Sequence, residues 1–415
     1  METLKNSPFN KIRMCVFPKH YDYNHNEPAH FAFHQVAEEK KEPRDPSRRG
    51  FMGTEAVAYG SDWDVDHPDF AFWDQLESLI SRMNDMDIQV DLILFHPYDR
   101  WGLSDMGMEK NKVYLDYAIR RLAAFPNIWW SLANEYDLMG NMSNEDWKAI
   151  GEYICTNDPY HHLLSCHNCF PMYDFTLPEV THASIQSRDV SRVAAWMDQY
   201  QKPVSIDECC YEGNLEQTFG SITAEEMTSR FWKVFVVGGH CTHGETYLDY
   251  AKGDSEDAVI WWAKGGKLIG KSPERIAYLR KLMESLPGPL TNHKDFISQV
   301  MEMPKEALEE MKKQVPGMAP LLNAIIQMDP VNMAYHAMPE VQYAGQHEDK
   351  VFIWYYGADI HGRVTLDLPE SGSYKIDIID TWNMTRETVM NGASGNVQVL
   401  LPGKQWMAVL AEKEN

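Results

Sequence analysis

Two glutamates stand out by position. Glu135 lies near the end of the strand-like run Asn127–Tyr136 (NIWWSLANEY), and Glu208 near the end of Pro203–Cys210 (PVSIDECC). Two carboxylates facing each other across a cleft can act as acid and as nucleophile or base, which is what cleavage of a glycosidic bond requires. Other polar residues end apolar runs in the same way: Arg13, His96 with Tyr98, Asn134, His167 with Asn168, Gln186, and His243 with Glu245. They are candidates for contacts to sugar hydroxyls, and Tyr98 with Trp101 could wall one face of a pyranose. Asn134 is placed to bind a sugar 2-hydroxyl, a contact that strengthens in the transition state. Asp207 should point away from Glu208, because successive strand side chains alternate.

These residues need a scaffold that brings strand ends together. Near-continuous apolar runs at residues 11–18, 89–98, 127–136, 162–168, 182–188, 203–210 and 235–247 read as strands buried on both faces. Amphipathic helical patterns such as Phe70–Met86 and Lys112–Phe125 lie between them. The alternation predicts an α/β fold, a (β/α)8 barrel with its active site at the carboxyl ends of the strands. Glu135 and Glu208 then lie three strands apart and face each other across the mouth. Only seven strands are legible, and Met1–Ser7 is too short to hold another strand and its helix. The predicted organisation is a barrel over residues 1–289 that lacks its first strand, a helical linker or insert over 290–335, and an antiparallel β-sandwich over 336–415. Ser272–Leu286 reads as the closing helix with Ser272 as N-cap, and the methionines of 301–333 read as helix packing. The sandwich shows as short alternating runs such as RVTLDLP, YKIDIID and NVQVLLP.

Composition narrows the partners. The chain has 415 residues, with 38 Lys+Arg against 61 Asp+Glu, a formal charge of −23. That balance argues against nucleic acid and anionic membrane, since binding phosphates needs a basic face. No run of 18 apolar residues is present, the first residues lack a signal-peptide pattern, and seven cysteines fit reduced thiols. A cytoplasmic enzyme is the expectation. Cys166-His-Asn-Cys169 is a single CxxC without a second, and is not read as a redox or zinc site. His240, His243 and Glu245, with His96, form the set a metal-dependent barrel hydrolase would use, kept as an alternative. The main reading needs no metal and no cofactor.

Two segments carry a more specific resemblance. WWSLANEYD resembles the fourth strand of the retaining (β/α)8 glycoside hydrolases of clan A, which implies that Glu135 is the acid/base. KPVSIDECC resembles the seventh strand of that clan, which implies that Glu208 is the nucleophile. By the same resemblance Arg13 matches an arginine at the second strand, and His96 a histidine of the third. More narrowly, the chain resembles bacterial glycosidase-like proteins that follow the barrel with a β-sandwich, with HGETY and WWAKGGKLIGKSPERIAYLRKL as the barrel-closing segment. The resemblance implies that Lys11–Pro18 is the second strand and that the first is missing by truncation. The open edge would then be covered by an insert or by another copy in a homo-oligomer. The clan's aromatic after strand eight would be Trp261 or Trp262. The expected activity is retaining double displacement on a β-linked oligosaccharide or glycoside, with the loops at 19–69 and 249–262 choosing the sugar. A non-catalytic sugar-binding relative with a truncated barrel is the other alternative.

Overall fold

A computed structural model describes residues 1–20, 26–37, 63–252, 258–261, 266–294, 296–329 and 343–414. A one-turn helix α1 (Glu2–Lys5) leads into strand β1 (Lys11–Cys15), followed by a short antiparallel pair, β2 (Phe33–Gln35) and β3 (Trp63–Pro68). Helices and strands then alternate: α2 (Phe70–Asn84), β4 (Gln89–Phe95), α3 (Met108–Leu122), β5 (Ile128–Ala133), α4 (Asn144–Asn157) and β6 (Leu164–Ser165). They continue with β7 (Ala183–Gln186), α5 (Val193–Tyr200), β8 (Val204–Glu208), β9 (Glu212–Gly213), α6 (Ala224–Val236) and β10 (His240–Cys241). Strands β11 (Glu245–Leu248) and β12 (Val259–Trp261) and helix α7 (Ser272–Ser285) close this part.

The helices form where one stripe of their surface is apolar. In α2 the stripe is Trp73, Leu76, Ile80 and Met83, and the Asp69 carboxylate caps the first turn on the Ala71 amide. In α4 a reciprocal capping box joins Ser143 and Asp146 ahead of the buried Trp147, Ile150 and Ile154.

The strands pair parallel in the order β1–β4–β5–β6, and β7 pairs parallel with β8. A parallel bridge between His167 and Ser184 joins the two sets, and β10 lies beside β8. This is the expected barrel, with no strand ahead of β1 among the described residues. No further strand among them pairs with the outer edge of β1. Its burial reflects this: every residue of β1 is half-exposed, whereas six of the seven residues of β4, flanked on both sides, are buried. The run expected as one strand over 235–247 is corrected. Phe235 ends in α6, and after β10 the chain forms β11, which pairs with β9 and β12 instead of extending the barrel.

The described chain falls into two units. The first holds Met1–Arg188, Met197–Ala224 and Cys241–Pro273, and the second Asp189–Trp196, Glu225–His240 and Glu274–Asn415. In the second, β13 (Thr291–Asn292) precedes helices α8 (Phe296–Glu302), α9 (Lys305–Gln314) and α10 (Ala319–Gln327). Val300, Leu308, Leu322 and Ile325 form a small core there, with Met301, Met303, Met311, Met318 and Met328 packed against it. Seven strands follow: β14 (Tyr343–His347), β15 (Val351–Tyr355), β16 (Arg363–Asp367), β17 (Tyr374–Asp380), β18 (Thr385–Ala393), β19 (Asn396–Leu400) and β20 (Met407–Lys413). They make an antiparallel sheet in the order β13–β14–β15–β20–β17–β18 and a two-stranded ribbon, β16–β19. The ribbon strands bury alternate residues, as a one-faced layer must, while all five residues of β15 are buried. Phe352, Trp354, Leu366, Ile376, Val399 and Val409 belong to one core between these layers. Among the described residues no helix is long and apolar enough to cross a membrane.

Candidate active site

Glu135 lies two residues beyond the end of β5 and adopts the left-handed region, with φ 51°. For a residue with a Cβ that conformation is costly and persists only where its surroundings impose it. The side chain is buried, and its Oε2 accepts from the Tyr98 hydroxyl and from Asn134 Nδ2 at 3.0 Å. Burial and the nearby Glu135 carboxylate push the Cys169 thiol pKa up.

Glu208 ends β8. Its Oε1 lies 3.3 Å from Arg13 Nη1 and 3.8 Å from His167 Nε2, and its Oε2 accepts from the Tyr211 hydroxyl. Burial and the charge of Glu135 push Glu208 up to about 7, against the pull of Arg13 and the Tyr211 hydrogen bond. The charge of Glu135 thus reaches Glu208, which places the two carboxylates near one another.

The expectation that Asp207 turns away is corrected by a bulge. Ile185 pairs with Ile206, but Gln186 pairs with Glu208, so Asp207 is the extra residue. A bulge re-aims side chains that a regular strand would send to opposite faces. Asp207 accepts from Lys11 Nζ at 2.5 Å, Ser184 Oγ at 2.6 Å, Thr242 Oγ1 at 2.8 Å and Ser205 Oγ at 2.9 Å. Despite its burial, the charges of Lys11 and Arg13 hold it well below the usual carboxylate range. Both cations also approach Asp91, Arg13 Nε at 3.4 Å and Lys11 Nζ at 3.6 Å.

Beside the pair, several buried polar atoms have no hydrogen-bond partner: Arg13 Nη2, both ring nitrogens of His167, and Gln186 Oε1. Such atoms are uncommon inside proteins and mark a place where a polar ligand can bond. Burial holds the His167 pKa well below its ordinary value, so the ring is neutral and offers one donor and one acceptor. Gln186 Nε2 lies 3.8 Å from Cys169 Sγ, and Lys19 Nζ stands 5.0 Å from the centre of the Tyr98 ring. The ends of β5 and β8 therefore bring together two carboxylates, two tyrosine hydroxyls and a set of unused donors and acceptors.

The structure gives four sequence candidates other work. His96 is fully buried: Nε2 donates to the Phe17 carbonyl at 3.0 Å, and Nδ1 accepts from the Tyr98 amide at 3.2 Å. Those partners fix its tautomer, and burial lowers its pKa to about 3. It braces the turn carrying Tyr98 and has no atom left for a sugar. Asn168 is equally committed, with Nδ2 on the Gln186 carbonyl at 3.3 Å and Oδ1 accepting the Gln186 amide at 3.1 Å. His243 stacks on Phe9 with ring centres 4.7 Å apart, and its Nε2 lies 3.1 Å from Ser272 Oγ. Glu245 accepts the amides of Ile269 and Gly270 at 2.7 and 3.0 Å, and burial raises it to about 7.

His243 and Glu245 belong to a second cluster, with Glu212. One ligand atom from each of the three lies within 4.8 Å of the others. Glu212 accepts the amides of Lys271 and Ser272 at 2.8 and 3.1 Å and the Tyr247 hydroxyl at 3.0 Å. All four carboxylate oxygens are thus engaged in fixing the segment that enters α7. Neither His96 nor His240 joins the group, so the donor set of the metal-dependent alternative is not assembled among the described residues.

Sequence reasoning missed Tyr211, Lys19 and the part played by Cys169. Tyr211 lies three residues after Glu208, and its nearness was the available signal. Lys19 follows the first strand-like run with no motif around it. Trp262 lies outside the described residues, as does the side chain of Trp261.

A family model described as "Apiosidase-like, catalytic domain" matches residues 9–288, and one of a domain of unknown function (DUF5605) matches residues 340–411. A Bacteroides vulgatus protein ascribed to the glycoside hydrolases is similar over 100% of this chain and 74% of its own, with 30% identity and a TM-score of 0.76. A family 5 glycoside hydrolase from Bacteroides vulgatus matches over 99% of this chain and 84% of its own, with 12% identity and a TM-score of 0.62. At that identity the likeness speaks for the fold alone. No curated protein matches the chain.

Proposed function

The chain belongs to the apiosidase-like catalytic-domain family, within a glycoside hydrolase fold, and from that premise we propose that it cleaves a β-linked glycosidic bond with retention, by double displacement. Glu208 attacks the anomeric carbon, and Glu135 protonates the departing oxygen and then activates water. The observation that carries this reading is the pair itself, with Arg13 and Tyr211 on the half-buried Glu208 and Tyr98 and Asn134 on the buried Glu135. Arg13 and Tyr211 favour the ionised nucleophile, while Glu135 has the hydroxyl and amide donors that position an acid. Arg13, His167 and Gln186 bind sugar hydroxyls through their unused polar atoms. The family description points to apiosides as the first substrates to try, among oligosaccharides and simple glycosides.

The test is a panel of 4-nitrophenyl glycosides that includes the β-apioside, with the first-formed anomer identified by proton NMR. Cleavage with retention supports the proposal, and inversion would overturn the mechanism. Sugar binding without turnover would instead favour a non-catalytic relative. The half-exposed β1 edge further leads us to propose a homo-oligomer, which light scattering tests; a monomer would count against it.

A further inference from the structure

Phe170 is an aromatic ring held out in water, 75% exposed, on a loop tied to the residues that follow Glu135. The loop beneath it is firmly fixed. Asp137, two residues after Glu135, accepts the amides of Cys169 at 2.6 Å and Phe170 at 2.9 Å through its two carboxylate oxygens. Tyr136 directs its hydroxyl to the carbonyls of Met172 at 3.2 Å and Pro171 at 3.5 Å. Its own amide bonds the His167 carbonyl at 3.0 Å. The residues directly after Glu135 therefore tie down both flanks of Phe170. A phenyl ring held on a rigid loop offers a flat apolar face on which another ring can stack.

We infer that Phe170 is the stacking platform for the leaving group, taking the flat apolar face of the ring that departs when the glycosidic bond breaks. This inference rests on the proposed roles of Glu135 and Glu208. An acid/base stands on the leaving-group side of the scissile bond, so a platform fixed to its loop meets the departing ring and not the sugar attacked by Glu208. The interaction is made in the ground state and kept in the transition state, so it acts mainly on KM.

The experiment compares two substrates with the same glycone: the 4-nitrophenyl glycoside that the enzyme cleaves and the matching glycosyl fluoride, whose leaving group has no ring. In Phe170→Ala the ratio of kcat/KM for the aryl glycoside to that for the fluoride is expected to fall about tenfold, equal to about 1.4 kcal/mol, with the loss carried by KM. Phe170→Tyr restores the ratio, while Phe170→Leu, apolar but without a flat face, behaves like Phe170→Ala. A ratio unchanged in Phe170→Ala overturns the inference, as does full recovery in Phe170→Leu. Wild-type enzyme inert towards both substrates overturns the proposed function and the inference with it.

Discussion

Asp207 and Glu208 are consecutive, yet both carboxylates meet cations of β1: Asp207 bonds Lys11 at 2.5 Å, and Glu208 faces Arg13 at 3.3 Å. Lys11 and Arg13 share one face of their strand, as residues two apart must. The bulge at Asp207 lets one segment of β8 use both partners. The first carboxylate, bonded to four side chains, is structural. The second, held by Arg13 and Tyr211 against the like charge of Glu135, is the proposed nucleophile.

Removal of either glutamate should separate their roles. Glu208→Ala and Glu135→Ala are each expected to lose about 10³-fold or more in turnover of unactivated glycosides. Added azide can stand in for the missing carboxylate. In Glu208→Ala it attacks the glycoside directly and gives a glycosyl azide of inverted configuration; in Glu135→Ala it intercepts the glycosyl-enzyme and gives the retained one. The reverse pattern by NMR would exchange the assignments.

Tyr211→Phe removes a donor that lowers the Glu208 pKa. Glu208 then titrates higher, and the acidic limb of the kcat/KM profile, which reports the ionised nucleophile, should move to higher pH with about a tenfold loss below neutrality. A limb that stays in place would show that Tyr211 does not act through Glu208.

Glu208 also links activity to stability. Its pKa is raised from the ordinary 4.5 to about 7, so between these values the folded chain holds a proton that the unfolded chain has released. Its favourable contribution is complete below about pH 4.5 and is lost as the pH rises through about 7. Glu208→Gln, neutral throughout, should be more stable than wild type at pH 8, by on the order of 1–3 kcal/mol, and should lose that advantage near pH 4.5. Urea unfolding across this window measures the difference, and a wild-type stability that rises with pH relative to Glu208→Gln would reverse the sign.

The interior pair beneath the site should matter to folding. Asp207→Asn leaves Lys11 and Arg13 short of a counter-charge and is expected to cost about 3–5 kcal/mol. Lys11→Met combined with Asp207→Leu removes both members of the closest pair and should recover part of the loss. Thermal unfolding of the single and double variants decides whether the pair is coupled in this way.

The carboxylates were legible in the sequence because each ends an apolar strand, and in a barrel strand ends converge. His96, Asn168, His243 and Glu245 also end strand-like runs, but position alone does not show where a side chain's hydrogen bonds go. His96 spends both nitrogens on main-chain groups near its own turn, and Glu245 captures amides more than twenty residues away in sequence. The bulge at Asp207 was equally hidden, since one extra residue leaves the hydrophobic pattern of PVSIDECC unchanged. The eighth-strand run was read too long because the apolar end of α6 and the start of β10 are contiguous in composition.

Strand β1 carries the counter-charges of both Asp207 and Glu208, yet none of its five residues is fully buried and, among the described residues, it pairs on one side alone. Fraying of that edge would release Lys11 and Arg13 together and leave two neighbouring carboxylates repelling each other. On warming, catalysis should then fade before the molecule as a whole melts, with amide exchange fastest in β1 among the barrel strands. The edge that looks peripheral is, electrically, the keystone of the site.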